Sequence, residues 1–342
     1  MKLQNVAYSF VITTLVILLL IYAEPILIPL VISFLIWFIV KKTRDLIDRI
    51  GFMRKYIPRW VKTLVASAGI FALLLFVGKL LVLNIENFGK SYSNYASNAA
   101  IIGEKIHHLL GIDIQAEIIS FFENFNFADS LHIFINSISE VLGNMMMIVF
   151  YTIFIFIEES LFKEKMNLIF KYSKGTSDYQ ETMAKIDRTM AHYIGLKSLI
   201  ALLTATLGYI VFYFVGIDVP MFWAFLLFMF NFIPSVGPIL ASILPALFSL
   251  LQFGEFGPFL IILIGMTAIS VLIGNFIEPR LMGNTLNISP LVAIISLAVW
   301  GALWGVIGML LCVPITVAMI IIFSQFTSTR KIAILLSEKG RV

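Results

Sequence analysis

Charge is what this 342-residue chain has least of: 13% of its residues are Asp, Glu, Lys or Arg, against about 25% in soluble proteins. Apolar residues make up 60%, where about 45–50% is usual. A soluble globule of this composition would expose large apolar patches. Cysteine occurs once, at Cys312 in an apolar run, so no intrachain disulfide can form and the thiol reads as a small core hydrophobe. The four histidines (107, 108, 132 and 192) fall in expected extramembrane segments or at span ends, and no H-E-x-x-H occurs. His107 and His108 are adjacent, point about 100° apart on a helix, and read as solvated surface. No G-x-x-x-x-G-K-[ST] stretch is present to cradle nucleotide phosphates. No Asp lies inside an expected span, which argues against an intramembrane aspartyl protease. Neither a metal site nor a cofactor is expected, and an enzymatic reading finds no support.

What the chain does have is a series of apolar runs near the roughly 17–25 residues that cross a bilayer. The fold expected is an all-α polytopic membrane protein. Full spans read at about 6–22, 25–40, 61–83, 138–157, 196–215 and 259–277. The first is too long for a signal peptide, and Ala23-Glu24-Pro25 is not a cleavage site, so it reads as a true span. Orientation follows from Lys and Arg, which stay on the cytoplasmic side. The loop 41–62 carries eight of them against Asp45 and Asp48, segment 84–135 carries two against six acids, and segment 158–197 carries seven. The first and third are expected inside, the second outside, and both termini cytoplasmic. Because apolar residues interrupt the 41–62 loop beside a span, its expected partner is anionic lipid and not nucleic acid.

Two longer uncharged stretches interrupt this pattern. Val219 to Phe253 is broken at "NFIPSVGP" by Asn231, Pro234, Gly237 and Pro238. Leu291 to Phe323 is broken at "WGALWGVIG" by Gly301, Gly305 and Gly308, then by Pro314. Each is long for one helix and short for two spans, so each reads as a broken hairpin of two short helices. By parity they open to opposite faces, a pointer to a transport site; four short tilted spans are the alternative. The chain then divides into N-terminal membrane helices (1–83), an extracytoplasmic helical insertion (84–137), a span (138–157) and a cytoplasmic amphipathic linker (158–195). A transport core with the hairpins (196–326) and a cytoplasmic tail (327–342) follow. In the linker, Ser177 with Gln180 forms a capping-box pattern, and Met183, Ile186, Met190 and Ile194 line one helical face that runs straight into the next span.

Two motifs carry candidate chemistry. Glu278 is the only acid in residues 256–337, and "EPR" sets it beside Pro279 and Arg280 at the end of a span. Pro279 is expected to stop the helix and turn Glu278 away from α geometry, with Gly283 and Pro290 keeping the next connection irregular. Three roles stand open: an interfacial ion pair of Glu278 with Arg280 that anchors a loop, a gate in which Glu278 takes up and releases a proton or cation while Arg280 holds it ionised in one state, or a purely conformational lock. In "NFIPSVGP", Pro234 and Pro238 leave carbonyls unpaired. Gly237 lets the backbone approach a ligand, and Asn231 and Ser235 offer donors and acceptors to a small polyhydroxylated solute. A plain helix-breaking loop is the alternative. Gly301, Gly305 and Gly308 read as close helix packing.

The stretches "GIDVPMFWAFLLFMFNFIPSVGPILASILPAL", "NFIEPRLMGNTLNISPLVAIISLAVWGALWGVIGMLLCVPITV" and "IAILL" resemble the autoinducer-2 exporter family of bacterial permeases, from about residue 185 to 336. The resemblance implies a secondary transporter of the inner membrane and a homo-oligomer, specifically a pentamer. It implies as solute either the furanone signal autoinducer-2 or, in other relatives, sodium or lithium exchanged for protons. A scaffold that transports nothing is the alternative from another class, and the broken hairpins speak against it.

Overall fold

The computed structural model describes residues 3–48, 55–76, 139–171, 176–282, 288–325 and 329–338, with isolated positions between them (78–79, 98, 101–103, 105, 136–137 and 340). Gly283, His107, His108, His132 and nearly all of segment 84–135 lie outside the described residues. The described residues form helices and no strand. Six of the helices are long and apolar enough to cross a membrane. The chain is an all-α, multi-pass membrane protein, and it separates into two compact units.

The first unit takes residues 1–76, 137–184 and 298–309. Helix α1 (Leu3–Tyr22) breaks for one residue at Ala23 before α2 (Glu24–Ile47). Glu24 and Pro25 suit that start: a carboxylate complements the positive helix end, and proline's missing N–H has no partner there to lose. Helix α3 (Arg59–Phe76) and helix α4 (Met145–Lys171) pack on α2 through Ile36, Val40, Ala66 and Ile148. The hydroxyl of Ser33, inside this apolar contact, lies 2.6 Å from the Pro29 carbonyl and 3.0 Å from that of Ile148. The outward faces are as greasy as the core: Leu64, Val65 and Phe76 on α3 and Met146, Phe150 and Phe154 on α4 are exposed. A surface of this kind suits hydrocarbon as its solvent.

The second unit takes residues 77–136, 185–297 and 310–342. Helix α5 (Thr176–Val215) enters it at Lys185. It joins the linker and the next span without interruption, as its periodicity predicts, and is already helical one residue before Ser177. Helices α6 (Pro220–Phe230) and α7 (Val236–Phe253) form the first hairpin. Its reversal is visible at Gly237, where a Cβ would lie 1.9 Å from the Phe230 carbonyl oxygen. At 1.5 Å per residue α6 is only about 16 Å long, half the hydrocarbon thickness, so it cannot cross alone. Phe222, Trp223, Phe230 and Phe248 form the aromatic core of this pair.

Helix α8 (Phe256–Leu272) continues through a π-helical turn, Ile273–Ile277, into α9 (Glu278–Met282). This overturns the expected stop at Pro279. Glu278 keeps α geometry, φ −59° and ψ −48°, and its N–H donates to the Ile273 carbonyl five residues back. The widened turn precedes a proline whose ring would crowd the carbonyl four residues earlier and whose nitrogen cannot donate. The helix bulges where it was expected to end.

The second hairpin is one helix by its ends, α10 (Pro290–Gln325), broken at Trp304 (φ −129°, ψ 20°) and Gly305 (φ 57°, ψ −141°). That Gly305 conformation belongs almost exclusively to glycine. Trp300 and Gly308 would be about 12 Å apart along a straight helix, yet a Cβ on Gly308 would sit 1.9 Å from the Trp300 carbonyl oxygen. Of the glycines and the proline expected to break this stretch, only Gly305 lies at the break, while Pro314 stays within helix and Gly301 packs on Met309. Helix α11 (Arg330–Leu336) closes the chain, its Leu336 carbonyl accepting from the Ser289 N–H ahead of α10.

Candidate functional site

Glu278, Asn231, Gly237 and Pro238, placed in two separate motifs by the sequence, line one cleft of the second unit. Thr204 of α5, Ser270 of α8 and Gly274 of the π-helical turn complete its polar and small-residue wall, with Leu227, Ala241 and Ile273 as apolar lining. The cleft leaves about 30 Å³ of room, enough for roughly two water molecules. In this conformation that room does not admit an organic solute.

Helix α5 supplies the other half of the chemistry. Lys197 and Thr204 are seven residues apart and so share a helical face. The Lys197 ammonium donates to the Glu278 carboxylate at 2.5 Å. Lys197 is 12% exposed and Glu278 28%, so the pair is half-shielded from water. Of the roles open for Glu278, an ion pair with Arg280 is not the contact the structure shows. Arg280 is exposed, and Glu278 answers a lysine 81 residues away. The reason is helical: residues i and i+2 project on different faces of α9. Lys197 stands at the head of the predicted 196–215 span, and that cation inside an apolar run was the signal that could have singled it out.

Asn231 has a determinate orientation. The Thr204 hydroxyl has one hydrogen, given to the Ile200 carbonyl at 2.8 Å, so its oxygen accepts from Asn231 Nδ2 at 3.0 Å. Asn231 Oδ1 is left buried without a hydrogen-bond partner. An unmet buried acceptor costs about 1–3 kcal/mol, which a ligand's donor or a cation in the cleft would recover. Ser235 and Pro234 do not line the cleft. Ser235 is exposed at the hairpin tip with φ 60° and ψ −45°. The Val236 N–H donates across it to the Pro234 carbonyl at 2.6 Å, a three-residue turn. The close approach that Gly237 permits is that of the Phe230 carbonyl, so hairpin geometry suffices to require this glycine. Among the described residues no group of His, Cys, Asp and Glu could hold a metal ion.

A family model described as the AI-2E family transporter matches residues 9–328. The chain is 36% identical over 203 residues to a protein of Haemophilus influenzae with a provisional transport-protein name, the match covering 58% of each chain. It is 33% identical over 216 residues to a similarly named protein of Borreliella burgdorferi, covering 62% of this chain and 59% of that one. It is 30% identical over 242 residues to the AI-2 transport protein TqsA of Escherichia coli, 70% of this chain and 68% of that protein. The matched stretch thus spans under two thirds of the first two relatives.

Proposed function

The chain belongs to the AI-2E family of transporters, and we propose that its solute is autoinducer-2 or a molecule of similar size and polarity, exported across the bacterial inner membrane. Similarity to the AI-2 transport protein TqsA over more than two thirds of both chains is the observation that carries this reading. The proposal extends to a homo-oligomer with both termini cytoplasmic, supported by the family resemblance and by the Lys/Arg asymmetry.

The cleft suggests how transport is coupled. While Glu278 is ionised it neutralises Lys197, and the α8–α9 helix is held to α5. Protonation of Glu278, or a competing cation on it, removes that attraction and leaves Lys197 with an uncompensated charge in a low-dielectric setting. The α5 to α9 contact then loosens, and the first hairpin, whose Asn231 touches the same α5 face, can move. Opening is required, because about two waters' worth of room admits no furanone.

Purified protein in liposomes under an imposed pH gradient tests this, with labelled autoinducer-2 flux measured beside sodium/proton exchange. The wild type is expected to move the signal molecule, Glu278→Gln to lose or uncouple that flux, and Asn231→Ala to raise the apparent substrate constant. Cation exchange without solute flux would reject the furanone assignment, and unchanged flux and pH dependence in Glu278→Gln would reject the coupling role.

A further inference from the structure

The first unit holds a concavity of its own, open and about 550 Å³ in volume. Asp48 after α2 bounds one side, Lys55 to Arg59 the rim, and buried Lys62 in the first turn of α3 the floor. Its charges are unevenly compensated. Lys62, 5% exposed, is ion-paired with Asp48. Nearby Arg44, 4% exposed, pairs with Glu159 at 3.4 Å and donates to Thr63 at 3.2 Å, and Glu159 also accepts from Trp37 Nε1 at 3.1 Å. Each buried cation thus has its own carboxylate. The rim cations have no carboxylate of their own: Lys55 overhangs the ring of Tyr56 at 5.6 Å, and exposed Arg59 acts on the same Asp48 that Lys62 already pairs with. The lining thus sets three cations, Lys55, Arg59 and Lys62, against the single carboxylate of Asp48, a surplus of two positive charges.

The surroundings indicate which anion belongs there. Tyr56 is 64% exposed and Trp60 69% exposed beside this rim. From Arg59 onward α3 is an apolar helix with Leu64, Val65, Leu73 and Phe76 exposed. Aromatic residues followed by an exposed apolar face mark the level where a helix enters hydrocarbon. The cleft therefore lies at headgroup level, where the anion at hand is a lipid phosphate and its acyl chains continue along the exposed face of α3.

We propose that this cleft is a binding site for the phosphate of an anionic phospholipid, with Arg59 and Lys55 as its counter-charges and Trp60 against the adjoining acyl chains. Arg59 is the stronger ligand of the two, because a guanidinium can meet two phosphate oxygens at once.

The test uses the full chain in zwitterionic mixed micelles and follows its thermal midpoint. Phosphatidylglycerol, phosphatidylcholine and inorganic phosphate are titrated separately into wild type, K55Q/R59Q and a charge-matched control, R330Q/K331Q in α11. Phosphatidylglycerol is expected to raise the midpoint of wild type and control, less so at high salt, and to leave K55Q/R59Q unmoved. R59Q alone should lose more than half the shift. The lipid-free midpoint of K55Q/R59Q should match wild type, since both side chains are exposed. A full response in K55Q/R59Q, an equal loss in the control, or no response in wild type overturns the site. A full shift with inorganic phosphate alone overturns the lipid assignment.

Discussion

Glu278 and Lys197 each end up beside a low-dielectric wall, so neither charge is tolerable alone. Removing one partner of a buried pair costs about 3–5 kcal/mol, less here because Glu278 keeps 28% of its surface in solvent. The single variants Glu278→Gln and Lys197→Gln should each lower the thermal midpoint in detergent. The double variant should be more stable than their sum predicts, with a coupling of about 0.5–3 kcal/mol; strict additivity would show that the two do not interact. Ser235 gives a prediction of opposite sign. A non-glycine residue at φ 60° carries strain of about 1–3 kcal/mol, while glycine costs about 0.5–1 kcal/mol in chain entropy. Strain is the larger of the two, and the exposed hydroxyl forfeits little, so Ser235→Gly should raise the midpoint. A fall would mean the tip is unstrained.

Hairpins are the elements that set this protein apart from a plain helical bundle, and both use one device. A glycine lies on the carbonyl of an aromatic residue across the reversal, Gly237 on Phe230 and Gly308 on Trp300. Backbone cannot move aside as a flexible side chain can. Gly237→Ala and Gly308→Ala should therefore each cost at least the 1–3 kcal/mol typical of overpacking, read as lost midpoint and lost flux. Gly301→Ala should be milder, since its neighbour is the flexible end of Met309. The far end of the first hairpin is tied differently. Asn98 Nδ2 donates to the carbonyls of Leu251 and Gln252, and Lys105 Nζ to that of Gly254, supplying the otherwise unpaired C-terminal carbonyls of α7. Gln252 bonds in turn to the Gly216 carbonyl and the Asp218 N–H. Asn98→Ala with Lys105→Ala should speed amide hydrogen exchange over 248–254, leaving the Asn231 tip unaffected; exchange unchanged at both ends would show that the insertion does not hold α7.

For the whole molecule, the lone cysteine makes membrane orientation measurable. Cys312 is buried, so in a Cys312→Ser background a cysteine introduced at Asp45, and another at Glu338, should both be labelled only from the cytoplasmic side. Labelling of either from outside would reverse the reading of the Lys/Arg asymmetry at that end.

Membrane residence, the helical spans and the two broken hairpins were legible in the sequence, because a bilayer imposes its length and polarity on every consecutive stretch that crosses it. Asn231 and Glu278 were legible as isolated polar interruptions of apolar runs. What lies between them was not. Only the tertiary structure brought the 231–238 tip and the 278 carboxylate into one cleft and chose Lys197 in place of Arg280. It also carried the helix past Pro279 through a π-helical turn. Ion pairing and lining depend on which helix faces meet across dozens of residues, and local pattern has no term for that. A proline's effect likewise depends on whether the preceding turn can widen, which the packing of neighbouring helices decides.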